Sequence, residues 1–268
     1  MLWDNHMHSS FSGDSEAAPI DMINAARGKG LRGMTFTDHL DIDYKEEPGL
    51  FDLNIADYYE KQHGLALEQS DEEFTVLTGI EIGLQPHVAV ENRQAVAQAP
   101  FDYVIGSTHV VDGRDPYYEA FWKQGDTAAL CRRYYENILE NISCYSDFDA
   151  LGHLDYMFRY HPVIAERTNS HQPYADVIDA ILEKIIAMDK ALEINMGALK
   201  KGLAEPNPCV SIIKRYHELG GRLITLGADA HEPAHVALGY EGLPELLKQC
   251  GYREFAVYIG RVAHMAPV

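Results

Sequence analysis

The chain has 268 residues, 46% of them hydrophobic, and a formal net charge of −19. Length and apolar content suit one globular domain with a sizeable core, and fit a single α/β barrel. So acidic a balance excludes the basic stripe that a nucleic-acid surface needs to displace counterions, and no apolar run approaches a membrane span.

Seven short runs rich in β-formers alternate with helical patterns. The first, 2–8 (LWDNHMH), starts at once, without the charged and apolar regions of a signal peptide. A helix over 19–30 follows, with Pro19 near its start and Gly28 and Gly30 at its end, which is normal helix punctuation. The second strand, 33–39 (GMTFTDH), leads into a polar loop over 40–54 containing Pro48 and Gly49, expected to pass over the site. Then come a helix over 55–69, a strand over 74–84 (FTVLTGIEIGL), a helix over 89–99 and a strand over 103–111 (YVIGSTHVV). The second half reads as helix 127–143, strand 149–155 (DALGHLD), helix 174–190, strand 191–196 (ALEINM), helix 209–221 and strand 222–230 (RLITLGADA). Strands separated by helices predict a parallel sheet, and this length favours closure into a barrel. No G-x-G-x-x-G follows the first strand, which argues against dinucleotide binding. No repeat or linker divides the chain, so residues 1–268 are read as one domain. Cys131, Cys144, Cys209 and Cys250 lack CxxC spacing and read as reduced thiols of a cytoplasmic protein.

The ionisable residues collect at strand ends. Strand one carries His6-x-His8, with Asp14 six residues on. Strand two ends in Asp38-His39. Strand three carries Glu81, and strand four ends in His109. Strand five ends in His153-x-Asp155, and strand seven in Asp229-x-His231. In a parallel barrel these ends share the face where active sites are built. Alternate residues of a strand point to one side, so His6 and His8 converge, as do Asp229 and His231. Glu81 lies between Ile80 and Ile82, where an ionised carboxylate is costly unless it meets a cation. It is therefore a candidate bridge between two metals. A lone strand histidine is usually a satisfied core or surface residue; five strands of seven carrying one is not that pattern. By contrast His63 and His217 fall inside helices, and His87, His161, His171, His235 and His264 in loops or near the terminus; these are read as structural.

Imidazole and carboxylate donors without thiolate suit Zn, Fe or Mn. Eight or nine ligands exceed one ion, so two to three divalent ions are implied. Clustered ions bridge a hydroxide and clamp the oxygens of a phosphate, which is metal-assisted hydrolysis. No G-x-S-x-G elbow or P-loop lysine offers a covalent or nucleotide-binding alternative.

The series HxH, TDH, an isolated Glu, STH, GHLD and DAH resembles the PHP (polymerase and histidinol phosphatase) family over essentially the whole chain. GSTHVVDG, GHLDYMFRY and LEINMGALKKG look most like its stand-alone histidinol-phosphatase branch. The resemblance implies a distorted, TIM-like (β/α)7 barrel with a trinuclear site at the C-terminal ends of the strands. By position, it assigns one metal to His6, His8 and Asp229, with Glu81 bridging to a second completed by His109 and His153. Asp14, His39 and His231 hold the third. Many relatives have His where this chain has Asp14; a carboxylate binds a divalent cation as well.

The implied activity is hydrolysis of L-histidinol phosphate, in histidine biosynthesis, by in-line attack of a metal-bridged hydroxide. Arg159 is read either as a bidentate phosphate grip or as a surface ion pair. Lys200 or Lys201 adds a second cation, where histidinol-phosphatase relatives tend to have Arg. Asp155 or a metal-bound water protonates the leaving oxygen, and Asp38 orients a ligand from behind. Asp41, Asp43, Glu46 and Glu47 read as solvated loop charges, with an acidic pocket for the substrate ammonium as the other reading. The expected partner is a small phosphate monoester, not nucleic acid or membrane. The alternative is a phosphoesterase of the same family acting on a nucleotide, sugar phosphate or phosphotyrosine. An idle binding module is disfavoured because no ligand is missing. A related amidohydrolase is disfavoured because no metal-bridging lysine stands at a strand end before strand six.

Overall fold

The computed structural model describes residues 2–163 and 169–268. Its frame is a parallel sheet in the order β1 (Trp3–Met7), β2 (Gly33–Phe36), β4 (Thr75–Gly83), β5 (Tyr103–Ser107), β6 (Ala150–Leu151), β7 (Ala191–Asn195) and β8 (Ile224–Gly227). The seven expected strands are all present. The second is interrupted: Gly33–Phe36 pairs with Thr75–Thr78, and β3 (His39–Leu40) then pairs with Glu81 and Ile82. Between them the Thr37 N–H bonds the Met7 carbonyl and continues the pairing of β2 with β1. The fifth is shorter than predicted, because Tyr156–Tyr160 coils into a 3-10 turn soon after Leu151.

The sheet closes on itself. Met7 bridges Ala230 in parallel, with His8 N–H donating to Ala230 O and Asp229 N–H to His6 O, each at 2.8 Å. Elsewhere along this seam side chains replace the ladder. Asp4 accepts from Ala228 N–H, and Asn5 donates to Leu226 O. The result is the expected distorted (β/α)7 barrel.

The helices follow from their sequences. α1 (Pro19–Gly28) has proline in its first turn and Gly30 at φ +73 beyond its end. α2 (Ile55–Gln69) is capped by Asn54, and α5 (Thr127–Cys144) by Asp126, each accepting from an N–H three residues on. α5 buries Cys131, Tyr134, Tyr135, Ile138 and Ile142, and α6 (Ala175–Ala187) buries Val177, Ile178, Ile181, Leu182 and Ile185. That is one stripe at helical period against the sheet. α3 (Ala89–Val96) and α7 (Val210–Glu218) complete the predicted set, and the short α4 (Glu119–Trp122) precedes α5.

The chain's end adds α8 (Leu243–Gln249) and an antiparallel hairpin, β9 (Glu254–Ile259) with β10 (Val262–Pro267). Tyr258 stacks on Tyr103 at 5.3 Å, above Ala150 and Ala191. Arg261 pairs with Asp149, and Gly260 N–H donates to Asp102. Asp102 and Asp149 stand just before β5 and β6, so the hairpin covers the N-terminal end of the barrel. That leaves the opposite end for chemistry.

Candidate metal centre

The C-terminal strand ends bring nine donor side chains into one place. His6 lies in β1 and His8 just past it; their Nε2 atoms are 3.0 Å apart. Glu81, fully buried in β4, reaches His6 Nε2 (3.1 Å) and His8 Nε2 (3.5 Å) with Oε2. Asp229 Oδ1 closes this group at 3.4 Å from His8 and 3.8 Å from His6. Its backbone has φ +55, a left-handed conformation that Asp tolerates. The other Glu81 oxygen, Oε1, lies 2.9 Å from His153 Nε2 and 3.4 Å from His109 Nε2, which are 3.5 Å from each other. A third group forms nearer the surface. Asp14 Oδ2 is 3.0 Å from His231 Nε2 and 3.8 Å from His39 Nε2, and the His8 ring stacks between those of His39 and His231.

These spacings fit metal ions. Donors at about 2.1 Å from an ion in tetrahedral array stand about 3.4 Å from one another. Hydrogen bonding alone does not explain several imidazole nitrogens and carboxylate oxygens turned toward shared points in a buried space; cations there would. Burial pushes the Glu81 carboxyl up, but His6, His39 and His109 outweigh it and hold Glu81 well below the usual carboxylate range. Burial, with His231 and His39 close by, holds His8 well below the ordinary histidine value, in the neutral form that ligates.

A second layer orients these donors. Glu193 Oε1 meets His6 Nδ1 at 2.5 Å, and Asp41 Oδ1 meets His109 Nδ1 at 2.8 Å. Ser12 Oγ lies 3.0 Å from His8 Nδ1 and donates to Asp38, which also accepts from Ser9 and Gln62. Asp38 thus acts through Ser12, as a residue behind the ligands. Glu193 is absent from the sequence reading, yet it carries the signal that exposed Glu81: a carboxylate inside an apolar strand, Leu192-Glu193-Ile194. Asp41 is not a loop charge but the partner of His109. Of the other loop acids, Asp43 pairs with His87 and Lys45, and Glu46 with Arg114, while Glu47 accepts from Tyr118 on the cavity wall.

Two expectations change. Arg159 is neither a surface pair nor a free phosphate grip. It is 2% exposed, and its guanidinium donates to Asp229 (2.6 Å), Asn207 (2.6 Å) and Asn195 (2.7 Å). Asp155 is not placed as a proton donor. It lies outside the cavity wall, and its oxygens accept from Asn207, Asn169 and the Cys209 N–H. Lys200 donates to Asp229 O at 2.7 Å, and Lys201 lies over the Tyr160 ring at 5.3 Å.

The donors sit at the base of a cavity of about 800 Å³. Arg159, Lys200 and Lys201 line it together with Tyr44, Tyr118, Tyr156, Phe51, Asp115 and Glu47, Arg159 lying over the Tyr156 ring at 5.4 Å. Asp115 accepts from Tyr44 (2.8 Å) and Tyr117 N–H (2.7 Å), and burial pushes its carboxyl up to about 6. Of the histidines read as structural, His235 reaches this wall, paired with Glu232. His63 stacks on Tyr59, His171 pairs with Asp179 and His217 packs on Tyr252.

The model of the PHP domain matches residues 4–197, from β1 through β7 and all but two of the nine donors. The chain belongs to the PHP domain family. Among PHP relatives, the histidinol-phosphatase of Lactococcus lactis is 30% identical over 264 residues, covering 96% of this chain and 94% of its own. A probable histidinol-phosphatase of Thermotoga maritima is 31% identical, covering 95% and 94%. A crystal structure of the Lactococcus lactis histidinol phosphate phosphatase, complexed with zinc, L-histidinol and phosphate, superposes with a TM-score of 0.87 at 28% identity, covering 98% of each chain. A putative histidinol phosphatase from Listeria monocytogenes shares the fold at 17% identity, with a TM-score of 0.76 over 90% of this chain and 99% of its own.

Proposed function

We propose that this PHP protein is a phosphoric monoester hydrolase that converts L-histidinol phosphate to L-histidinol and phosphate. The observation that carries the reading is the convergence of eight histidine and carboxylate side chains, with Asp14 beside His231 and His39, at the C-terminal end of the barrel, in a chain whose relatives at about 30% identity over nearly their full length bear that activity in their names. Two to three divalent ions, Zn, Fe or Mn, would be held by His6, His8, Glu81 and Asp229, by Glu81, His109 and His153, and by Asp14, His39 and His231. When bound, they would activate water and neutralise charge on the phosphoryl oxygens.

The remaining work falls to the chain's own residues. Glu81 gives one oxygen to each of two histidine groups and fixes their separation. Arg159 and Lys200 hold Asp229 through its side chain and its backbone carbonyl, and bring positive charge to the cavity where a phosphate dianion would enter. The tyrosine-rich wall with Asp115 and Glu47 suits an imidazole and an ammonium, the two polar ends of histidinol. Residues 1–268 would act as one domain on a small substrate, in the cytoplasm; none of the described helices is long and apolar enough to cross a membrane.

The test is kcat/KM for phosphate release from L-histidinol phosphate and a panel of other phosphomonoesters, on protein of measured metal content. A preference of a hundredfold or more, about 2.7 kcal/mol of transition-state discrimination, is expected. A flat profile with metals bound would keep phosphoester hydrolysis and reject this substrate.

A further inference from the structure

The three donor groups are not equally supported. His6 is backed by Glu193, whose second oxygen is fixed by the His153 backbone N–H (2.8 Å) and the Asn195 side-chain amide (3.1 Å). His109 is backed by Asp41. The fold makes room for both carboxylates with glycine. A Cβ on Gly227 would strike the His6 Cβ and Glu193 Oε1, and one on Gly83 would strike the Asp41 carboxylate. Behind the third group the described residues place no dedicated carboxylate at hydrogen-bond distance: Asp41 Oδ2 stands 3.7 Å from His39 Nδ1 and Asp229 Oδ1 3.6 Å from His231 Nδ1, each beyond the 2.5 and 2.8 Å of the other two pairs. His231 Nδ1 faces its own neighbour's carbonyl, Asp229 O at 3.0 Å, and Lys200 Nζ at 3.4 Å, a cation. His39 Nδ1 lies 3.0 Å from Glu81 Oε2, but that oxygen is already shared by His6 and His8. Two members of this group are also the exposed ones: the side chains of Asp14 and His231 are 37% and 20% accessible, and that of His39 9%, against 0–6% for His6, His8, Glu81, His109, His153 and Asp229.

We propose that Glu193 and Asp41 are positioning residues that grade the metal positions, so that the ions beside His6 and His109 are retained while the one at Asp14, His39 and His231 exchanges. The carboxylates act through the imidazoles. Each holds Nδ1 in the protonated tautomer, aims Nε2 inward and makes it a stronger donor; loss of such a partner costs 10–100-fold in metal affinity. The third position has only a solvent-accessible carboxylate and two imidazoles without that support. The proposal rests on the metal-centre reading above and is independent of which phosphoester is the substrate.

The experiment uses zinc-loaded full-length protein, dialysed against a graded series of chelator strengths, with zinc per chain counted by mass spectrometry. The wild type is expected to release one zinc first and to keep the others over at least a further tenfold in chelator strength. Asp14→Asn should lack that first zinc and retain the rest as the wild type does. Glu193→Gln and Asp41→Asn, checked as folded by circular dichroism, should each lose a further zinc at 10–100-fold weaker chelation. Release of all ions in one step, wild-type retention in both carboxylate variants, or loss of more than one zinc in Asp14→Asn would overturn the grading. The wild type and Asp14→Asn decide the matter even if Glu193→Gln or Asp41→Asn fails to fold. A wild-type protein that takes up no zinc would instead overturn the metal-centre reading beneath it.

Discussion

Replacing Arg159 with methionine tests how the centre is held. In the structure Arg159 is buried and donates to Asp229 Oδ2, Asn207 Oδ1 and Asn195 Oδ1. Methionine keeps most of the volume and removes every donor. Breaking a buried ion pair from one side costs about 3–5 kcal/mol, because the remaining charge stays buried. Asn195 Oδ1 still accepts from Gly197 N–H, but Asn207 Oδ1 loses its donor, adding about 1 kcal/mol. The sum is about 4–6 kcal/mol, several times the 0–1 kcal/mol of a surface pair. The assay is urea denaturation of the wild type and Arg159→Met, each with chelator and with excess zinc. In chelator the full loss is expected. With zinc the loss should shrink, since a cation at His6, His8 and Glu81 takes over the charge of Asp229. A loss under about 1 kcal/mol in chelator, or the same loss with and without zinc, would refute the argument that Arg159 serves as the counter-charge of Asp229.

Glu81→Gln removes the charge shared by two donor groups; zinc content should fall by at least one ion per chain and kcat/KM by about 10³-fold, the several kcal/mol of metal-borne charge stabilisation. Zinc uptake should release protons: burial lowers His6 and His109, but Glu193 with Glu81, and Asp41 with Glu81, outweigh it and hold both imidazoles protonated well above the ordinary histidine value. Apparent zinc affinity should therefore weaken as pH falls, and calorimetric heats should vary with the buffer's ionisation enthalpy; pH-independent affinity would contradict this. Asp115, raised to about 6 by burial, is ionised above that pH and neutral below it. For a cationic substrate, kcat/KM should drop as pH falls through about 6. Asp115→Asn should remove that limb and cost about 10- to 100-fold at neutral pH, the 1.5–3 kcal/mol of a charge-assisted hydrogen bond; an unchanged pH profile would exclude Asp115 from substrate recognition.

The barrel was legible because its strands are apolar runs between punctuated helices, and periodicity survives burial. The convergence of the candidate donors was legible because histidine and carboxylate at parallel strand ends have one shared destination. What sequence could not supply was depth. Arg159 and Asp155 lie four residues apart near a strand end, and either reads as a cavity residue. The turn over Tyr156–Tyr160 aims Arg159 at Asp229, whereas Asn169, Asn207 and Cys209, all distant in sequence, consume Asp155. Asp41 belongs to a run of loop acids; only its pairing with His109, across 68 residues, separates it from Asp43 and Glu46. The terminal hairpin left no chemical signature, since its task is to cover the inert end of the barrel.

Glu81 and Glu193 show why local pattern fixes existence but not role. Each is a carboxylate flanked by apolar residues in a buried strand, and each is fully buried. Burial alone would favour protonating both, yet both are held below the usual carboxylate value by imidazoles, His6 among them in each case. The difference lies in which face of His6 each one meets. Glu81 approaches Nε2, the side turned toward His8 and Asp229, and its two oxygens reach separate histidine groups, Oε1 accepting from Ser107 Oγ as well. Glu193 approaches Nδ1, and its second oxygen is already satisfied by the His153 N–H and Asn195. One carboxylate can therefore share a cation, while the other can only set the imidazole that does. Gly227 leaves the room in which His6 and Glu193 meet, since a Cβ there would strike both the His6 Cβ and Glu193 Oε1.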